Sequence, residues 1–598
     1  MRGVQCFCVV TIIWLHLRSV ASTPTRQLPS TTTTWDTKLG QVLGLNITSE
    51  NGNIFQFRKI PFAKSPEGDL RFRKPELPNP WNGTLDCTAY GHSCMQRGTN
   101  VSEDCLYLNV YVPNSLDVSA KRAVMVWIHG GSFISGTGAD YDGSTLALHG
   151  DVVVVTINYR LNIFGFYDAG DDAAHGNNGL WDQMLALRWV KNNIADYGGD
   201  PSRITIFGES AGGVSVGLQA IISKNKGVFQ RVIAESGASV GPRDSGVEAK
   251  KVFAKVADDL GCSADSTAAT VTCLRRKGTK QLLGTFYKSI DVVQSSSFTI
   301  LSALGPTIDG ELFTKEFDAI LADPDSDAMA FFRGVDFLSG FNTADAGLFY
   351  FDLLRHQKEF PSDNFTLGIT ANISANHVIP TIALQLYGSC GDISKSIFDK
   401  YIKDIPKDDI QGQTASAANL YADVNYYSPA VRSLDGHTGG SGRTYQYLFS
   451  HLPRWGPVNP RPLWIQGANH ADEVAFVFGL NELYPSNVPQ EDDELAISSR
   501  VMTYWTNFAK FGNPNGNDVD PPAWPQYTLR SKAFLNISTT DTVGHALYAD
   551  RMEFWNNVVT NHVTKWCDKH MNGVDSNVSL GKVISAVVTI PLVLCKYR

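Results

Sequence analysis

The sequence predicts an α/β protein whose central, mostly parallel sheet is flanked by helices and enlarged by insertions. Two continuous apolar runs rich in Val and Ile, Ala123–Ile128 and Val152–Ile157, are typical of strands buried on both faces. Apolar residues then return at helical spacing over Trp181–Asn193, and the β-rich run Arg203–Phe207 follows. Strands and helices that alternate in this way pack as a parallel sheet between helical layers.

The later part of the chain continues the alternation. A run of small, mostly helix-compatible residues, Ala211–Ile222, predicts a helix directly after the Arg203–Phe207 strand. Further strands are predicted at Phe331–Phe337 and Thr444–Phe449, and helical sequence dominates 247–260 and 492–511. Reactive groups in such sheets gather at the carboxyl ends of the strands.

Composition favours one large domain over several small ones. The chain has 598 residues with 43% hydrophobic content, and no low-complexity linker, charge block or repeat interrupts residues 36–570. The net charge of −8 is spread along the chain without a basic stripe, which makes nucleic acid and anionic membrane surfaces poor candidate partners. Its His, Cys and acidic residues show no zinc-ligand spacing and no loop resembles a nucleotide site, so we expect no metal and no organic cofactor.

The N-terminus predicts export from the cell. Residues 1–21 combine a basic start, a short apolar region and small residues at the end, as in a secretory signal peptide. The Ser/Thr/Pro-rich residues 22–35 are predicted to form a flexible leader. Asn-x-Ser/Thr sequons agree with a glycosylated chain that is secreted or lies on the extracellular face of the cell surface. They begin at Asn46, Asn82, Asn100, Asn364, Asn372, Asn536 and Asn577.

The C-terminal residues 571–598 leave two interpretations open. The apolar run Val583–Cys595 is too short to cross about 30 Å of hydrocarbon as a helix. A polar spacer with small residues precedes it, which resembles a removable signal for a glycolipid membrane anchor. The charged end, Lys596–Arg598, argues instead for an apolar tail on a soluble protein.

Export also makes disulfides an expectation for the eight cysteines that remain after Cys6 and Cys8, which belong to the predicted signal peptide. Cys262 and Cys273 flank a short polar loop and are predicted to pair. Cys105 has two candidate partners, Cys94 and Cys87, and sequence alone does not decide between them.

The most informative motif is a serine at a sharp turn. Residues 208–213 read Gly-Glu-Ser-Ala-Gly-Gly directly after a predicted strand and before a predicted helix. Glycines two positions before and after Ser210 let the backbone reverse sharply and expose the hydroxyl. The helix that follows directs its free N–H groups and positive dipole end toward that hydroxyl. The pattern predicts a nucleophile, and an ordinary turn serine is the alternative.

A serine nucleophile needs a base, and the base needs a group that fixes its tautomer. Among the acids after Ser210, Asp345 lies in a polar loop just beyond the strand predicted near residue 331. Asp336 lies inside that strand and Asp352 lies well after the loop, so spacing favours Asp345 without establishing it.

Two histidines are candidate bases. His451 and His470 both follow the predicted strand Thr444–Phe449, and position alone does not separate them. His470 lies in a small-residue loop, whereas His451 borders Pro453 and could simply end the strand.

Acyl transfer also needs N–H donors for the oxyanion. Ala211, the residue after the serine, supplies one. The glycine-rich stretch His129–Phe133 follows an early strand, and Gly130 and Gly131 allow its backbone N–H groups to turn inward. A plain glycine turn is the alternative interpretation of this stretch.

Several ordered motifs together resemble the type-B carboxylesterases, the group that includes cholinesterases. They are Gly208–Gly213, Trp127–Gly131, Ser102–Val110, Asn158–Arg160, Asn178–Gln183 and Gly198–Pro201. The resemblance runs from about residue 36 to 560. It implies an α/β-hydrolase fold and hydrolysis of carboxylic esters through an acyl-enzyme.

Residue by residue, the resemblance implies Ser210 as nucleophile, Asp345 as acid and His470 as base. It implies an oxyanion hole at Gly131, Ser132 and Ala211, and it favours Cys94 as the partner of Cys105.

Two departures from the family pattern bear on specificity. Ser132 stands where a third glycine is usual, so a side chain crowds the predicted oxyanion hole. Cholinesterases carry a tryptophan for choline in the disulfide loop that ends at Cys105, but residues 95–104 hold no aromatic residue. The aromatic face that would bind a quaternary ammonium is therefore missing there.

The sequence thus predicts a secreted or surface-attached serine hydrolase that acts on small-molecule carboxylic esters through an acyl-enzyme. Cholinesterase or lipase-like specificity are alternatives within the enzyme class. A non-catalytic cell-surface adhesion relative is the alternative outside it, and the three filled triad positions argue against that role. The acyl chain, the alcohol and the oligomeric state are not specified by the sequence.

Overall fold

A computed structural model describes residues 30–49, 51–238, 246–294, 305–357, 359–360, 363–387, 393–458, 461–485, 488–516 and 523–560. The predicted signal peptide, the C-terminal tail, Cys390, Cys567 and the sequon at Asn577 lie outside these residues.

The strands of the described residues are, in chain order, β1 (Ser30–Thr37), β2 (Gly40–Ser49), β3 (Gly52–Pro61), β4 (Thr84–Asp86), β5 (Ser93–Cys94), β6 (Val101–Ser102), β7 (Tyr107–Pro113), β8 (Arg122–Ile128), β9 (Val153–Ile157), β10 (Gly199–Glu209), β11 (Arg231–Glu235), β12 (Asp336–Asn342), β13 (Thr444–Phe449), β14 (Ala533–Ile537) and β15 (Thr542–His545). All but β5 and β6 form one sheet in the order β1-β2-β3-β7-β9-β8-β10-β11-β12-β13-β14-β15, with β4 beside β2. From β9 to β14 every neighbouring pair is parallel.

The α-helices of the described residues are Ser144–Gly150, Asn162–Phe166, Asn178–Asn193, Ala211–Ile221, Gly246–Asp259, Thr267–Arg275, Thr279–Gln294, Phe317–Leu321, Asp327–Phe332, Gly347–His356, Ala371–Ile373, Ile379–Tyr387, Ser394–Tyr401, Ile410–Ala422, Ser428–His437, Val474–Phe478, Leu480–Leu483, Asp492–Phe511 and Ala549–Glu553. Three π-helical segments adjoin them at Ser374–Val378, Asp423–Tyr427 and Phe554–Val559. None of the described helices is long and apolar enough to cross a bilayer.

Strand β8 shows why the sheet centre is apolar on both sides. Successive side chains of a strand point to opposite faces. Val124 and Val126 pack in a core with the helix Asn178–Asn193, whereas Met125 and Trp127 pack in a second core with the helix Asp492–Phe511. All seven residues of β8 are buried. The predicted α/β fold with a mostly parallel, helix-flanked sheet is confirmed.

The helix Asp492–Phe511 covers one face of this sheet. Its buried residues Ile497, Val501, Trp505 and Phe508 recur every three or four positions and so form one stripe. Acidic residues fill its first turn, and Gly512 ends it in the left-handed conformation. The bounds of this helix and of β13 agree with the segments predicted from the sequence.

The strand predicted at Phe331–Phe337 is wrong over residues 331–335. Asp327–Phe332 is a helix, whose first turn is capped where the Ser326 hydroxyl accepts a hydrogen bond from the N–H of Met329 (3.3 Å). The strand β12 begins only at Asp336. A short apolar run fits a buried helix as well as a buried strand, so periodicity could not separate the two.

The flexible leader predicted over 22–35 is also wrong for its last residues. Residues 30–35 belong to β1, which pairs antiparallel with β2. The indole N–H of Trp35 donates to the carbonyl oxygen of Asp196 (2.7 Å) and ties the strand to the domain. Threonine favours strands as well as polar linkers, and here the pairing with β2 decides.

Both predicted disulfides are present. Cys94 is bonded to Cys105, Cys262 is bonded to Cys273, and Cys87 is a buried free thiol. Of the described sequons, Asn82, Asn100, Asn364 and Asn372 are exposed, and Asn46 and Asn536 are half-buried in strands.

Candidate active site

Ser210 lies at the apex of a strained turn between β10 and the helix Ala211–Ile221. Its backbone has φ +58° and ψ −123°, a conformation that L-residues rarely adopt. A Cβ on Gly212 would overlap the carbonyl oxygen of Ile128, so only glycine lets the elbow pack against the end of β8. The sequence therefore folds into a nucleophile elbow that presents the serine hydroxyl at the carboxyl edge of the sheet.

Three side chains from three loops meet at this edge. The Ser210 hydroxyl lies 2.9 Å from Nε2 of His470, and Nδ1 of the same ring lies 2.5 Å from Oδ1 of Asp345. Asp345 is fully buried and His470 is 8% exposed. This is the serine–base–acid geometry in which the carboxylate fixes the imidazole tautomer and Nε2 is free to accept the serine proton.

The acid is itself held from two sides. Its second oxygen, Oδ2, accepts hydrogen bonds from the Ser236 hydroxyl (2.6 Å) and from the N–H of Asn342 (3.1 Å). Ser236 directly follows β11 and Asn342 ends β12, so two parallel strands fix the carboxylate. Both oxygens of Asp345 are thereby paired, as a buried carboxylate requires.

The loops that carry acid and base are joined by backbone contacts. Ala344 and Asn469 form an isolated parallel β-bridge, and the N–H of Ala344 donates to the carbonyl oxygen of Ala468 (2.7 Å). The Asn342 side chain donates to the carbonyl oxygen of Asn469 (2.6 Å). Because these residues adjoin Asp345 and His470, the bridge sets the distance between acid and base.

Carboxylates raise the proton affinity of the base. Burial alone lowers the pKa of His470, but the nearby carboxylates of Glu209, Asp345 and Asp472 outweigh it, so the pKa lies above its ordinary value. Nε2 lies 3.1 Å from Oε1 of Glu209, the residue before the nucleophile. Carboxylates in these positions favour the protonated form of the imidazole over the neutral form.

Further acidic groups lie buried beneath the site. Burial raises the pKa of Glu209 and raises that of Glu235 to about 8, and it raises the pKa of Glu473 well above its ordinary value. Glu235 accepts from the indole N–H of Trp505 (2.8 Å). At a pH near neutral, these three carboxyl groups are therefore partly protonated. Their protonation removes part of the negative charge that they would otherwise carry.

The predicted oxyanion loop lies against the elbow. A Cβ on Gly130 would sit 3.1 Å from Cβ of Ser210, so the two segments touch. Ser132 and Phe133 have φ near +55° and +59°, which turns the loop in a left-handed path. Ala211 is the first residue of its helix, so its N–H has no acceptor within that helix.

The side chain of Gln96 and the backbone N–H of Asn162 fasten this loop. The amide of Gln96 pairs with Gly136 in both directions: Nε2 donates to its carbonyl oxygen (2.8 Å) and Oε1 accepts from its N–H (3.0 Å). On the other side, the N–H of Asn162 donates to the carbonyl oxygen of Phe133 (2.7 Å). The Cys94–Cys105 loop, which carries Gln96, thus supports the oxyanion loop.

The alternative acids and base lie elsewhere. His451 pairs with Glu494 (3.3 Å), Asp336 with Arg443 (2.9 Å), and Asp352 with Arg355 (2.5 Å). The structure therefore brings Ser210, His470 and Asp345 together. The alternative base and the two alternative acids bond other residues.

Sequence reasoning missed several residues of the site. Glu209 lay inside the elbow motif, where its place beside the serine was the available signal. Ser236, Gln96 and Tyr426, whose ring stacks on His470 with centroids 4.6 Å apart, gave no local signal because they reach the site only through folding. Within the described ranges, no cluster of three or more His, Cys, Asp or Glu side chains could hold a metal ion.

A parallel sheet with a nucleophile elbow, an acid after a later strand and a base loop beyond it defines an α/β-hydrolase. Residues 31–555 match the sequence profile of the Carboxylesterase family, and the chain belongs to this family of serine carboxylic-ester hydrolases.

Similar proteins cover nearly the whole chain. A medium-chain fatty acyl-CoA hydrolase precursor of Anas platyrhynchos is 35% identical over 555 residues, which are 90% of this chain and 93% of that protein. Carboxylesterase 1D of Mus musculus is 34% identical over 578 residues, 91% and 96% of the two chains. An acylcarnitine hydrolase of Mus musculus is 34% identical over 540 residues, 87% and 90% of the two chains.

Proposed function

We propose that this protein is a secreted or surface-attached hydrolase of small-molecule carboxylic esters that works through a covalent acyl-enzyme on Ser210. The observation that carries the proposal is the 2.9 Å separation of the Ser210 hydroxyl and Nε2 of His470, with Asp345 on the opposite ring nitrogen. A serine hydroxyl becomes an effective nucleophile when such a base can take its proton during attack.

In the first half-reaction, Oγ of Ser210 attacks the ester carbonyl carbon while its proton passes to Nε2 of His470. The N–H groups of Gly131, Ser132 and Ala211 stabilise the oxyanion of the tetrahedral intermediate. The intermediate collapses when His470 returns the proton to the alcohol oxygen, which leaves as the free alcohol. Asp345 holds the imidazole throughout.

In the second half-reaction, water repeats the attack. Nε2 of His470 takes a proton from the water as its oxygen bonds to the acyl carbon. Collapse breaks the acyl–Oγ bond and returns the proton to Ser210. The sum is ester plus water giving acid plus alcohol, and the enzyme is regenerated.

Similar proteins and the residues near the site together indicate the substrate class. The relatives are named for hydrolysis of carboxylic esters, fatty acyl-CoA and acylcarnitine. Residues 95–104, between the cysteines of the first disulfide, hold no aromatic side chain to face a quaternary ammonium. We propose uncharged aliphatic or aryl esters in preference to choline esters.

The test compares the purified protein and its Ser210→Ala variant on nitrophenyl esters of graded acyl length. Acetylthiocholine and a medium-chain acyl-CoA thioester serve as further substrates. We expect the wild type alone to hydrolyse the nitrophenyl esters, and we expect it to hydrolyse acetylthiocholine only slowly. Equal background rates from both proteins would contradict the proposal, and would favour a non-catalytic role. Preference for acetylthiocholine would favour a cholinesterase instead.

The extracellular location is supported by the signal-like residues 1–21, by four exposed sequons and by two disulfides. Expression in a secretory cell should yield protein outside the cell whose mass falls after enzymatic removal of N-glycans. If residues 571–598 direct a glycolipid anchor, a phosphoinositide-cleaving lipase should release the protein from the cell surface. Retention inside the cell without glycans would contradict the location.

A further inference from the structure

A π-helical segment lies within the long helical stretch that contacts the acid loop, the turn of residues 342–345 that carries Asp345. The helices Ile410–Ala422 and Ser428–His437 are joined without a break by the π-turn, defined here as Asp423–Tyr427. All five residues of the π-turn are buried. Such wide turns are uncommon and occur frequently at functional sites.

Tyr427 of the π-turn reaches the acid loop with its hydroxyl. That hydroxyl donates to the carbonyl oxygen of Asn342 (2.6 Å) and accepts from the N–H of Asp345 (3.2 Å). One phenol group therefore ties both ends of the four-residue turn that presents the acid. The ring stacks on Phe341 of β12 with centroids 4.1 Å apart, which fixes the direction of the hydroxyl.

The preceding residue of the π-turn contacts the base. The ring of Tyr426 stacks on the imidazole of His470, with centroids 4.6 Å apart and planes inclined by 30°. Two consecutive side chains thus touch two members of the triad.

The start of the π-turn is anchored from the other side. The buried carboxylate of Asp423 accepts from the Tyr401 hydroxyl (2.5 Å) and lies 3.4 Å from Nε of Arg551. The Tyr401 hydroxyl in turn accepts from the indole N–H of Trp555 (2.6 Å). The π-turn is therefore held between this network and the acid loop.

We infer that Tyr427 is a positioning residue of the triad, and that the π-turn exists to bring its hydroxyl to the acid loop beside the ring that Tyr426 lays on the base. The inference rests on the proposed function. Tyr427 acts through Asp345 and does not touch the reacting atoms. Loss of its hydroxyl removes two hydrogen bonds to the backbone of the turn that presents the Asp345 carboxylate to Nδ1 of His470.

The test is Tyr427→Phe, which keeps the stacked ring and removes only the hydroxyl. We expect kcat on a nitrophenyl ester to fall by about 10- to 100-fold while KM changes less than about threefold, because misplaced catalytic groups slow the chemical step more than binding. A fluorophosphonate titration counts competent sites, so that partial unfolding does not pass for slow turnover.

Tyr421→Phe is the matched control, since it removes a buried hydroxyl from the same helical stretch that bonds Asp352 instead of the acid loop. Its kcat per competent site should match that of the wild type. A Tyr427→Phe enzyme with kcat within twofold of the wild type would overturn the inference and leave the proposed function intact. An inactive wild type, or an active Ser210→Ala variant, would overturn the proposed function itself.

Discussion

At the scale of single residues, His470 is surrounded by carboxylates in addition to the triad acid. Glu209 approaches Nε2, Asp345 holds Nδ1, and Asp472 lies nearby. The base is active when neutral, so a raised pKa of His470 moves the acid limb of kcat/KM to higher pH. Activity should therefore rise with pH through a midpoint above 6.5, the ordinary value for histidine.

Glu209→Gln should move that midpoint to lower pH by about one unit or more, because it removes one carboxylate that raises the pKa of His470. The measurement is the pH profile of kcat/KM for both proteins on one nitrophenyl ester. Glu553→Gln, a change far along the chain in the helix Ala549–Glu553, serves as the control. An unchanged or upward-shifted midpoint would contradict the electrostatic role of Glu209.

Ser132 adds a side chain to the oxyanion loop at a backbone angle that favours glycine. Its φ of +55° lies in the left-handed region, which costs a non-glycine residue about 1–2 kcal/mol. We expect its Cβ and hydroxyl to reduce the room beside the proposed oxyanion hole.

Ser132→Gly should therefore widen the range of acyl groups accepted. We expect the ratio of kcat/KM for long over short acyl nitrophenyl esters to rise by about 10-fold. The comparison is Ser135→Gly, which removes from the same loop a hydroxyl that donates to the carbonyl oxygen of Gly131. A ratio that stays constant for Ser132→Gly would mean that this side chain does not limit the acyl pocket.

At the scale of elements, the site depends on loops that are fixed by distant segments. Gln96 clamps Gly136 with a pair of opposed hydrogen bonds, and its own backbone is held by the Cys94–Cys105 disulfide two residues away. The clamp leaves the oxyanion loop little freedom, as preorganised donors require.

Gln96→Leu keeps the side-chain volume near that of glutamine but removes both hydrogen bonds. We expect kcat to fall by about 10- to 100-fold with a smaller change in KM, because misplaced donors weaken binding of the oxyanion. Steady-state kinetics with active-site titration measures it. Gln41→Leu on β2, whose side chain bonds Asp36 and Thr84, is the control. Equal kcat for both variants and the wild type would contradict the clamp.

Elements were predictable from the sequence where one apolar pattern excluded others. The long helix Asp492–Phe511 and the strand Thr444–Phe449 carry unambiguous periodicity, and the elbow carries its own turn residues. Phe331 and Phe332 carry no such unambiguous pattern, because a buried helix and a buried strand both accept adjacent aromatic residues.

Site residues were predictable when a local motif carried them. Ser210 and the oxyanion glycines lie in such motifs, whereas the choice of His470 over His451 needed the family pattern. Tyr427 and Gln96 were not predictable, since the first joins the site through a π-turn and the second through a disulfide loop. Contacts between residues distant in sequence leave no periodic trace.

For the molecule as a whole, one buried ion pair links the Cys94–Cys105 loop to the segment that follows the second disulfide. Arg71 donates to Glu103 (2.7 and 2.5 Å), which lies in the Cys94–Cys105 loop. Its remaining nitrogen donates to the carbonyl oxygens of Arg275 (2.9 Å) and Lys277 (2.7 Å), beyond the Cys262–Cys273 disulfide. Arg71 thereby also caps the end of the helix Thr267–Arg275.

Arg71→Ala should lower the free energy of unfolding by about 3–5 kcal/mol, because it leaves Glu103 buried without its partner. Lys395→Ala, which breaks the exposed pair with Asp399, should cost less than about 1 kcal/mol. Denaturant unfolding followed by tryptophan fluorescence compares them. Equal losses of unfolding free energy in the two variants would show that the buried pair stabilises the protein no more than the exposed pair.

Covalent labelling of Ser210 tests its activation by His470 most sharply. The protein is treated with a fluorophosphonate, digested, and the modified residue is identified by mass spectrometry, beside a His470→Gln variant. Activation of Ser210 by His470 predicts one label, on Ser210, that forms at least about 10³-fold more slowly in the variant. A label on a different residue, or equal labelling rates in the two proteins, would show that His470 does not activate Ser210.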